Sequence, residues 1–561
     1  LTEHTINHDA QARRVARWGS LLHAKNVVMQ LRAWAGSVFG TGTAESLLTV
    51  LALGVGLGVV VDQASPGALG VPFLQFVAPA MILSVAVHGA HIENMMGVMA
   101  GFKWFETYLS AATTPTTPHQ LFTGHMIGGS LRYTISVATV VLVLLPFGGV
   151  TILNAVFLLP IALLTAWAFG NLVAAWTTHQ PEDKGQFSLF SRLVVLPLTL
   201  FSGTYFPLEV LPIWLQPVGW ASPLWHGVNL ARIITLGQAA PWWLPVVHVA
   251  YLAALAVLGW WLACRAYQAR LLGELFIGRK KRRKPAKPEV AVAEGQELPD
   301  GQDLIRAAGG HRWGFLTVAR RGVKAAWGSS TLVMVTGGIE PLLYLAAMGF
   351  GLGTLVGQAD GATAYAAFIA PGLLASSAMM GAVMDTVYNV FFKLKFDKLY
   401  EGMLSTSLSP LDVAFGEIIV ALVRGGLYAT AFLAVMAALG LVASWWALLA
   451  IPACLLIAFG FAGIGMAATS FARTFQQLDW IFVALMPMFL FSGTFYPVEV
   501  YPEPIATVVK FLPLWHGIEM MRDLTSGAVG WATAGHALYF VALAVLGTVI
   551  ASRRLKALFL R

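Results

Sequence analysis

Charge is what this chain has least of. Only 11% of its 561 residues are Asp, Glu, Lys or Arg, while 57% are hydrophobic. An average soluble domain carries roughly 25% charged residues, so a water-soluble protein of this size is excluded. Cysteine is also scarce. Cys264 and Cys454 both lie in apolar runs; they form no disulfide framework and leave the redox compartment undefined. No G-x-x-x-x-G-K-[ST] motif occurs, and no polar stretch is long enough to house an ATPase. The glycine runs at Gly54, Gly56, Gly58 and at Gly349, Gly351, Gly353 sit inside apolar segments, where they serve close helix packing rather than phosphate binding. A metal site is equally unsupported. His88, His91 and Glu93 have ligand-like spacing, but the equivalent positions of a second copy hold Met380 and Val383, and only Glu93 has a counterpart, Asp385.

What is present is a long internal repeat. Residues 201–210 read F-S-G-T-Y-F-P-L-E-V and residues 491–500 read F-S-G-T-F-Y-P-V-E-V. Each is followed by P-L-W-H-G, at Pro223–Gly227 and Pro513–Gly517, and then by a basic residue, Arg232 and Arg522, all displaced by 290 positions. Register kept over such mixed chemistry identifies a tandem duplication. Long apolar runs, with a mean hydropathy of +0.72, predict an all-α polytopic membrane protein. Six spans are expected per repeat, about 44–61, 72–100, 131–147, 151–176, 190–206 and 242–264, then about 332–356, 365–391, 424–441, 445–470, 478–496 and 531–551. Glu45 pairs with Glu340, and Ala78-Pro79 with Ala370-Pro371.

The net charge of +8 does not point to nucleic acid, because the cations lie between apolar runs. They are concentrated in the N-terminal segment, at Lys103 and Lys184, in Arg279–Lys284, at Lys393, Lys395 and Lys398, and in the tail at Arg553, Arg554 and Lys556. The opposite-side segments hold only Arg232, Lys510 and Arg522. The positive-inside rule then places both termini in the cytoplasm, with two parallel six-helix repeats. The domain plan is 1–43, an N-terminal segment with an interfacial amphipathic helix and no cleaved signal peptide; 44–277, a first transmembrane domain; 278–311, a basic cytoplasmic linker; and 312–561, a second transmembrane domain led by its own interfacial helix. The interfacial helices are expected at 13–34 and at Phe315–Trp327, with Val15, Trp18, Leu21, Leu22, Val28 and Met29 on the apolar side of the first.

Two segments in each repeat attract functional readings. Between spans two and three, Trp104–Pro118 and Phe396–Pro410 align Tyr108 with Tyr400 and Pro118 with Pro410; each reads as a short cytoplasmic docking helix. After span five, the F-S-G-T stretch is too interrupted to span and too apolar to be a free loop. A re-entrant pair of short helices satisfies its backbone, with Trp225 and Trp515 at headgroup level and His226 and His516 as hydrogen-bonding residues. Glu93 and Asp385 form a polar element in span two near the cytoplasmic side. Arg132 and Arg424, also in register, read as snorkelling interfacial cations.

Taken together, F-S-G-T-[YF]-[FY]-P-[LV]-E-V…P-L-W-H-G, the Ala-Pro pair and the Tyr…Pro segment resemble the permease subunits of ABC-2 type exporters, in particular the nodulation-factor and daunorubicin-type permeases. The likeness covers nearly the whole chain, twice, apart from the linker. It implies that Phe105, Tyr108, Pro118, Phe396, Lys398, Tyr400 and Pro410 belong to coupling helices. It also implies an external gate built from Phe201, Pro207, Glu209, Trp225 and His226, and from Phe491, Pro497, Glu499, Trp515 and His516. Family members dock on cytoplasmic ATPases, so the implied partners are two ABC ATPase subunits, identical or different, together with the lipid bilayer and an amphipathic or lipid-linked substrate. ATP and Mg would be bound by that partner, and this chain would carry no cofactor, no catalytic residue and no nucleic acid. The expected location is the plasma membrane. An ion-coupled secondary carrier with parallel repeats is the alternative, with Glu93 and Asp385 its sole candidate carboxylates.

Overall fold

The computed structural model describes residues 8–33, 43–44, 46–182, 185–276, 313–329, 338–356, 361–395, 397–474 and 477–559. The linker 278–311, Glu45, Lys184 and Phe396 lie outside the described residues. The chain divides into two compact units, 1–283 and 284–561. Among the described residues every regular element is helical, as a backbone in apolar surroundings requires if it is to satisfy its own hydrogen bonds.

In the first unit the elements are α1 (His8–Ala33), α2 (Ser46–Ala64), α3 (Phe73–Trp104), α4 (Thr107–Ala112), α5 (Pro118–Leu144), α6 (Ile152–Thr178), α7 (Gln186–Phe201), α8 (Gln216–Trp220), α9 (Pro223–Leu236) and α10 (Leu244–Leu271). The second unit repeats them as α11 (Gly314–Ser329), α12 (Ile339–Val356), α13 (Ala364–Lys395), α14 (Leu399–Leu404), α15 (Pro410–Ala438), α16 (Trp445–Phe471), α17 (Gln477–Phe491), α18 (Glu503–Lys510), α19 (Pro513–Ser526) and α20 (Trp531–Phe559). Ten of these helices are long and apolar enough to cross a membrane. The expected fifth spans are shorter than drawn. α7 stops at Phe201 and α17 at Phe491, because the next turn carries Gly203 at φ +70° and Gly493 at φ +85°. Only glycine adopts that left-handed conformation without a Cβ penalty. The pairs of short helices expected after the fifth span are present as α8 with α9 and α18 with α19.

The amphipathic helices pack on the third span of their unit, α1 on α5 and α11 on α15. The start of that third span receives them. Thr117 and Gln120 form a reciprocal capping box, as do Ser409 and Asp412. Gln120 Nε2 then donates to the Val15 and Ala16 carbonyls at 3.0 Å, and Asp412 Oδ1 accepts from the Phe315 backbone N–H at 3.1 Å. One cap residue therefore closes the span and pins the interfacial helix beside it.

The fourth and last spans form the closest helix pair of each unit, α6 with α10 and α16 with α20. In the first, Asn171 Nδ2 donates to the Ala256 carbonyl at 3.0 Å. In the second, small residues bring the backbones together: a Cβ at Gly547 would lie 2.5 Å from the Ile464 nitrogen. Close backbone approach of this kind replaces the hydrophobic effect, which lipid removes as a driving force. Gly547→Ala should therefore destabilise the unit by about 1–3 kcal/mol. Gly535→Ala on the same helix, where a Cβ meets nothing within 4 Å, should be neutral or stabilising. Thermal unfolding of the two variants in detergent checks the contrast; equal melting temperatures would refute the packing argument.

Candidate functional site

Each coupling segment begins with a backbone oddity. Glu106 and Lys398 have φ of +53° and +49°, and they are the non-glycine residues with positive φ among the described residues. They occupy equivalent positions, immediately before the six-residue helices α4 and α14. A left-handed non-glycine residue costs roughly 1–2 kcal/mol, so the surrounding structure must hold each turn in place.

The holding residue is the tyrosine two positions on. Tyr108 is buried, its ring 4.8 Å from that of Phe102 on α3, 5.1 Å from Tyr267 on α10 and 5.7 Å from His23 on α1. Its hydroxyl lies 3.0 Å from His125 Nδ1 on α5. One side chain thus ties the coupling helix to four others. Burial pushes its phenol above the usual pKa, so it stays neutral. Tyr400 is fully buried in the same place, yet its partners differ. The position of His125 is taken by Glu417, which Lys393 meets at 2.5 Å, and the Tyr400 hydroxyl has no hydrogen-bond partner among the described residues. Pro118 and Pro410 each open the next span at its first residue, where a missing N–H costs nothing.

The exposed tips of the two segments are chemically unlike. Around α4 they are Lys103, Trp104, Phe105, Glu106 and Leu109, so the left-handed residue at the tip is acidic. Around α14 they are Asp397, Lys398 and Glu401.

Above the coupling segments, the polar residues of span two are paired. Glu93 Oε2 accepts from Arg132 Nη1 at 3.0 Å, and Asp385 Oδ1 from Arg424 Nη1 at 2.6 Å. The two arginines are therefore not free snorkelling cations, as their positions suggested, but partners that cross from span three to span two. Both carboxylates open a five-residue π-helical segment, Glu93–Gly97 and Asp385–Asn389. Such bulges re-aim a side chain within an otherwise regular helix. His91 and His88 gather no further ligands. His91 Nε2 instead lies 3.1 Å from Ser191 Oγ, and its ring stacks on Phe190. No group of three metal-ligating side chains exists among the described residues.

At the opposite end of each unit the F-S-G-T turn is held by the downstream arginine. Arg232 donates from Nε to the Phe76 carbonyl at 3.1 Å and from Nη2 to the Thr204 carbonyl at 3.3 Å, with its guanidinium 3.6 Å above the Phe76 ring. Arg522 donates to the Gly493 carbonyl at 2.5 Å and lies 4.2 Å above Phe368. The conserved register of turn and arginine is thereby explained: carbonyls freed where the helix ends find a donor. Burial presses the Arg232 pKa down to about 9, which still leaves it cationic at neutral pH. Phe201 is buried and Phe491 half-buried, Pro207 is half-buried and Pro497 exposed, and Glu209 and Glu499 are exposed beside the turn.

The helix after the turn is fastened to the last span by a pair of histidines. His226 and His248 meet Nδ1 to Nδ1 at 2.8 Å, and so do His516 and His536. Tyr251 stacks on His226 at 3.9 Å and Tyr539 on His516 at 4.2 Å, with Trp225 and Trp515 closing the clusters at about the same distances in both units. The first cluster has further partners: His226 Nε2 lies 3.0 Å from the Trp220 carbonyl and His248 Nε2 lies 3.2 Å from the Asn229 amide. A carbonyl requires His226 to carry its proton on Nε2, so Nδ1 accepts. His248 must then donate from Nδ1, and its Nε2 accepts from the amide nitrogen of Asn229. In the neutral pair the amide is therefore turned with its NH2 toward His248, an orientation set by the network. These second histidines were legible in principle. His248-x-x-Tyr251 and His536-x-x-Tyr539 recur at a common displacement of 288, but in a span whose other residues differ.

Both the duplicated tyrosine-anchored turn and the duplicated arginine-held turn lie within segments that match one known family. The chain matches the ABC-2 type transporter family over residues 29–236 and again over 314–525, and it belongs to that family, as two permease units in one polypeptide. It is therefore a multi-pass membrane component of an ABC transporter, not the catalytic subunit. It is 34% identical to nodulation protein J of Rhizobium leguminosarum bv. viciae over 255 residues, 44% of this chain and 96% of the relative. Nodulation protein J of Rhizobium meliloti is 32% identical over 258 residues, 45% of this chain and 97% of the relative. The probable multidrug ABC transporter permease YbhR of Escherichia coli is 28% identical over 172 residues, 29% of this chain and 45% of the relative.

Two outcomes follow. Arg424→Gln removes the cation that balances Asp385, which keeps the amide of Asn389, and should cost up to about 3–5 kcal/mol, whereas the double variant Asp385→Asn/Arg424→Gln should cost clearly less; thermal unfolding in detergent reads both. Burial lowers the pKa of His226 and His516 from the usual 6.5, so the unfolded chain binds more protons below that pH. Stability is then fully present above about 6.5 and falls as the pH drops through the window beneath it. Combined His226→Gln and His516→Gln substitution should flatten the dependence of melting temperature on pH between 7.5 and 5.

Proposed function

We propose that the chain forms both halves of the membrane path of an ATP-driven exporter, with a separate pair of ABC ATPase subunits docked at its coupling helices. Both termini and both coupling segments face the cytoplasm, the membrane is the plasma membrane, and ATP and Mg are bound by the partner. The observation that carries this reading is the repeated construction at Phe105–Pro118 and Phe396–Pro410: a strained left-handed residue, a six-residue helix, a buried tyrosine and a capped span, in register in both units. A strained turn fixed by one buried ring is suited to transmit force from an exposed tip into the helices that hold the ring.

Unequal tips, with Glu106 opposite in charge to Lys398 and Phe105 standing where the second unit has Asp397, favour a partner whose two docking surfaces also differ. The F-S-G-T turns and the helices after them, with Phe201, Pro207, Glu209, Trp225 and His226 and with Phe491, Pro497, Glu499, Trp515 and His516, then serve as the external gate. Binding energy at the ATPase moves such a gate only if it favours one arrangement of the helices over another. The substrate class is amphipathic or lipid-linked, drug or glycolipid, a reading supported by the multidrug description of one relative and by the likeness to nodulation permeases. An ion-coupled carrier is disfavoured because Glu93 and Asp385 are each engaged in an ion pair with an arginine of the third span.

Coupling is tested on the complex purified with its ATPase. Lys398→Glu and Tyr400→Ala should each lower substrate-stimulated ATP hydrolysis severalfold with membrane insertion intact. Tyr400→Phe, which removes a hydroxyl that has no partner among the described residues, should not. Unchanged stimulation in both of the first two variants overturns the assignment.

A further inference from the structure

The two arginines that hold the F-S-G-T turns differ in one respect that their shared staple does not explain. Arg522 has a counter-ion: Glu519, one turn earlier on the same helix, accepts from its Nη1 at 2.9 Å. The equivalent residue beside Arg232 is Asn229, displaced by the same 290 positions, and an amide carries no charge. Arg232 is 6% exposed and forms no ion pair among the described residues. Its Nε and Nη2 are used on the Phe76 and Thr204 carbonyls, while Nη1 makes no hydrogen bond among the described residues. Two carbonyls satisfy donors, and the carboxylate whose charge acts on Arg232 is the exposed Glu209, whereas Arg522 has both Glu519 and Glu499; a buried charge so weakly compensated is costly.

Beside this charge the first unit has a pocket of about 180 Å³, lined among others by Trp225, Asn229, Gln238, Glu209 and Arg232 itself. We infer that the pocket is a binding site for a single oxyanion, a phosphate or carboxylate group, which supplies the counter-ion that the second unit builds into its own sequence. The guanidinium offers Nη1 as a charge-assisted donor, and the side-chain amide of Gln238 adds a neutral donor. Trp225 gives the pocket an apolar wall suited to the body of an amphipathic molecule. Glu209 on the rim opposes the anion. It is exposed, however, and its field is screened by water, whereas that of the buried arginine is not. The inference rests on Arg232 and its surroundings and holds whether or not the chain couples to an ATPase.

The anion has two possible sources, a lipid headgroup or a molecule in solution, and one experiment separates them. The full chain is purified in dodecyl maltoside without anionic lipid, and binding of inorganic phosphate is followed at constant ionic strength by ligand-observed phosphorus NMR relaxation. The key variant is Asn229→Glu, which copies the residue already accommodated beside Arg522, with its melting temperature measured alongside because it also removes the amide donor to His248. It should weaken phosphate binding at least tenfold, Asn229→Gln should leave it within twofold, and Glu209→Gln should tighten it. Unchanged affinity in Asn229→Glu, or no saturable binding by the native chain, overturns the site. Added phosphatidylglycerol that displaces phosphate from the native chain identifies a lipid headgroup as the occupant. Undiminished phosphate binding in its presence assigns the site to soluble anions or to the anionic end of a transported molecule.

Discussion

The contact on which each unit depends is that of an arginine with the carbonyls of a helix that has been stopped short. α7 and α17 end at Phe201 and Phe491, well before they reach the length of a straight span. The turn that follows exposes backbone acceptors among apolar neighbours, where water cannot satisfy them. Arg232 and Arg522 reach back from the next helix to the Thr204 and Gly493 carbonyls of that turn while lying on Phe76 and Phe368 of span two. The short helices are thereby seated against the span, and the histidine pairs fasten them to the last span. Without the arginine the interrupted segment would have neither a helix nor a solvent to complete its hydrogen bonds.

The same reasoning applies at the other end, where ionisable groups are neutralised in pairs. Glu93 with Arg132 and Asp385 with Arg424 join spans two and three through the same geometry. At the tyrosine anchor, by contrast, the duplication has kept the ring and changed its company. His125 meets Tyr108, whereas Glu417 meets Lys393 beside Tyr400. At the F-S-G-T turn the divergence is one charge, Asn229 against Glu519. Duplicated units retain what the backbone needs and vary what a partner or a bound molecule touches, which is the pattern expected when two halves of one transporter are free to specialise.

Much of this was legible in the chain itself. Composition and apolar runs determined a helical membrane protein, and the 290-residue displacement determined two copies of one unit. The Tyr…Pro and F-S-G-T phrases located both segments of interest, because short, interrupted stretches with register in both copies stand out against apolar helices of relaxed sequence. Only the tertiary structure decided that Arg132 and Arg424 face carboxylates 39 positions earlier, that His226 and His516 bond to histidines on the last span, and that Glu106 and Lys398 adopt a left-handed turn. The physical reason is that periodicity and composition depend on neighbours along the chain, whereas charge pairing and hydrogen-bond completion in an apolar medium are settled between helices, by groups whose separation in sequence carries no local signal.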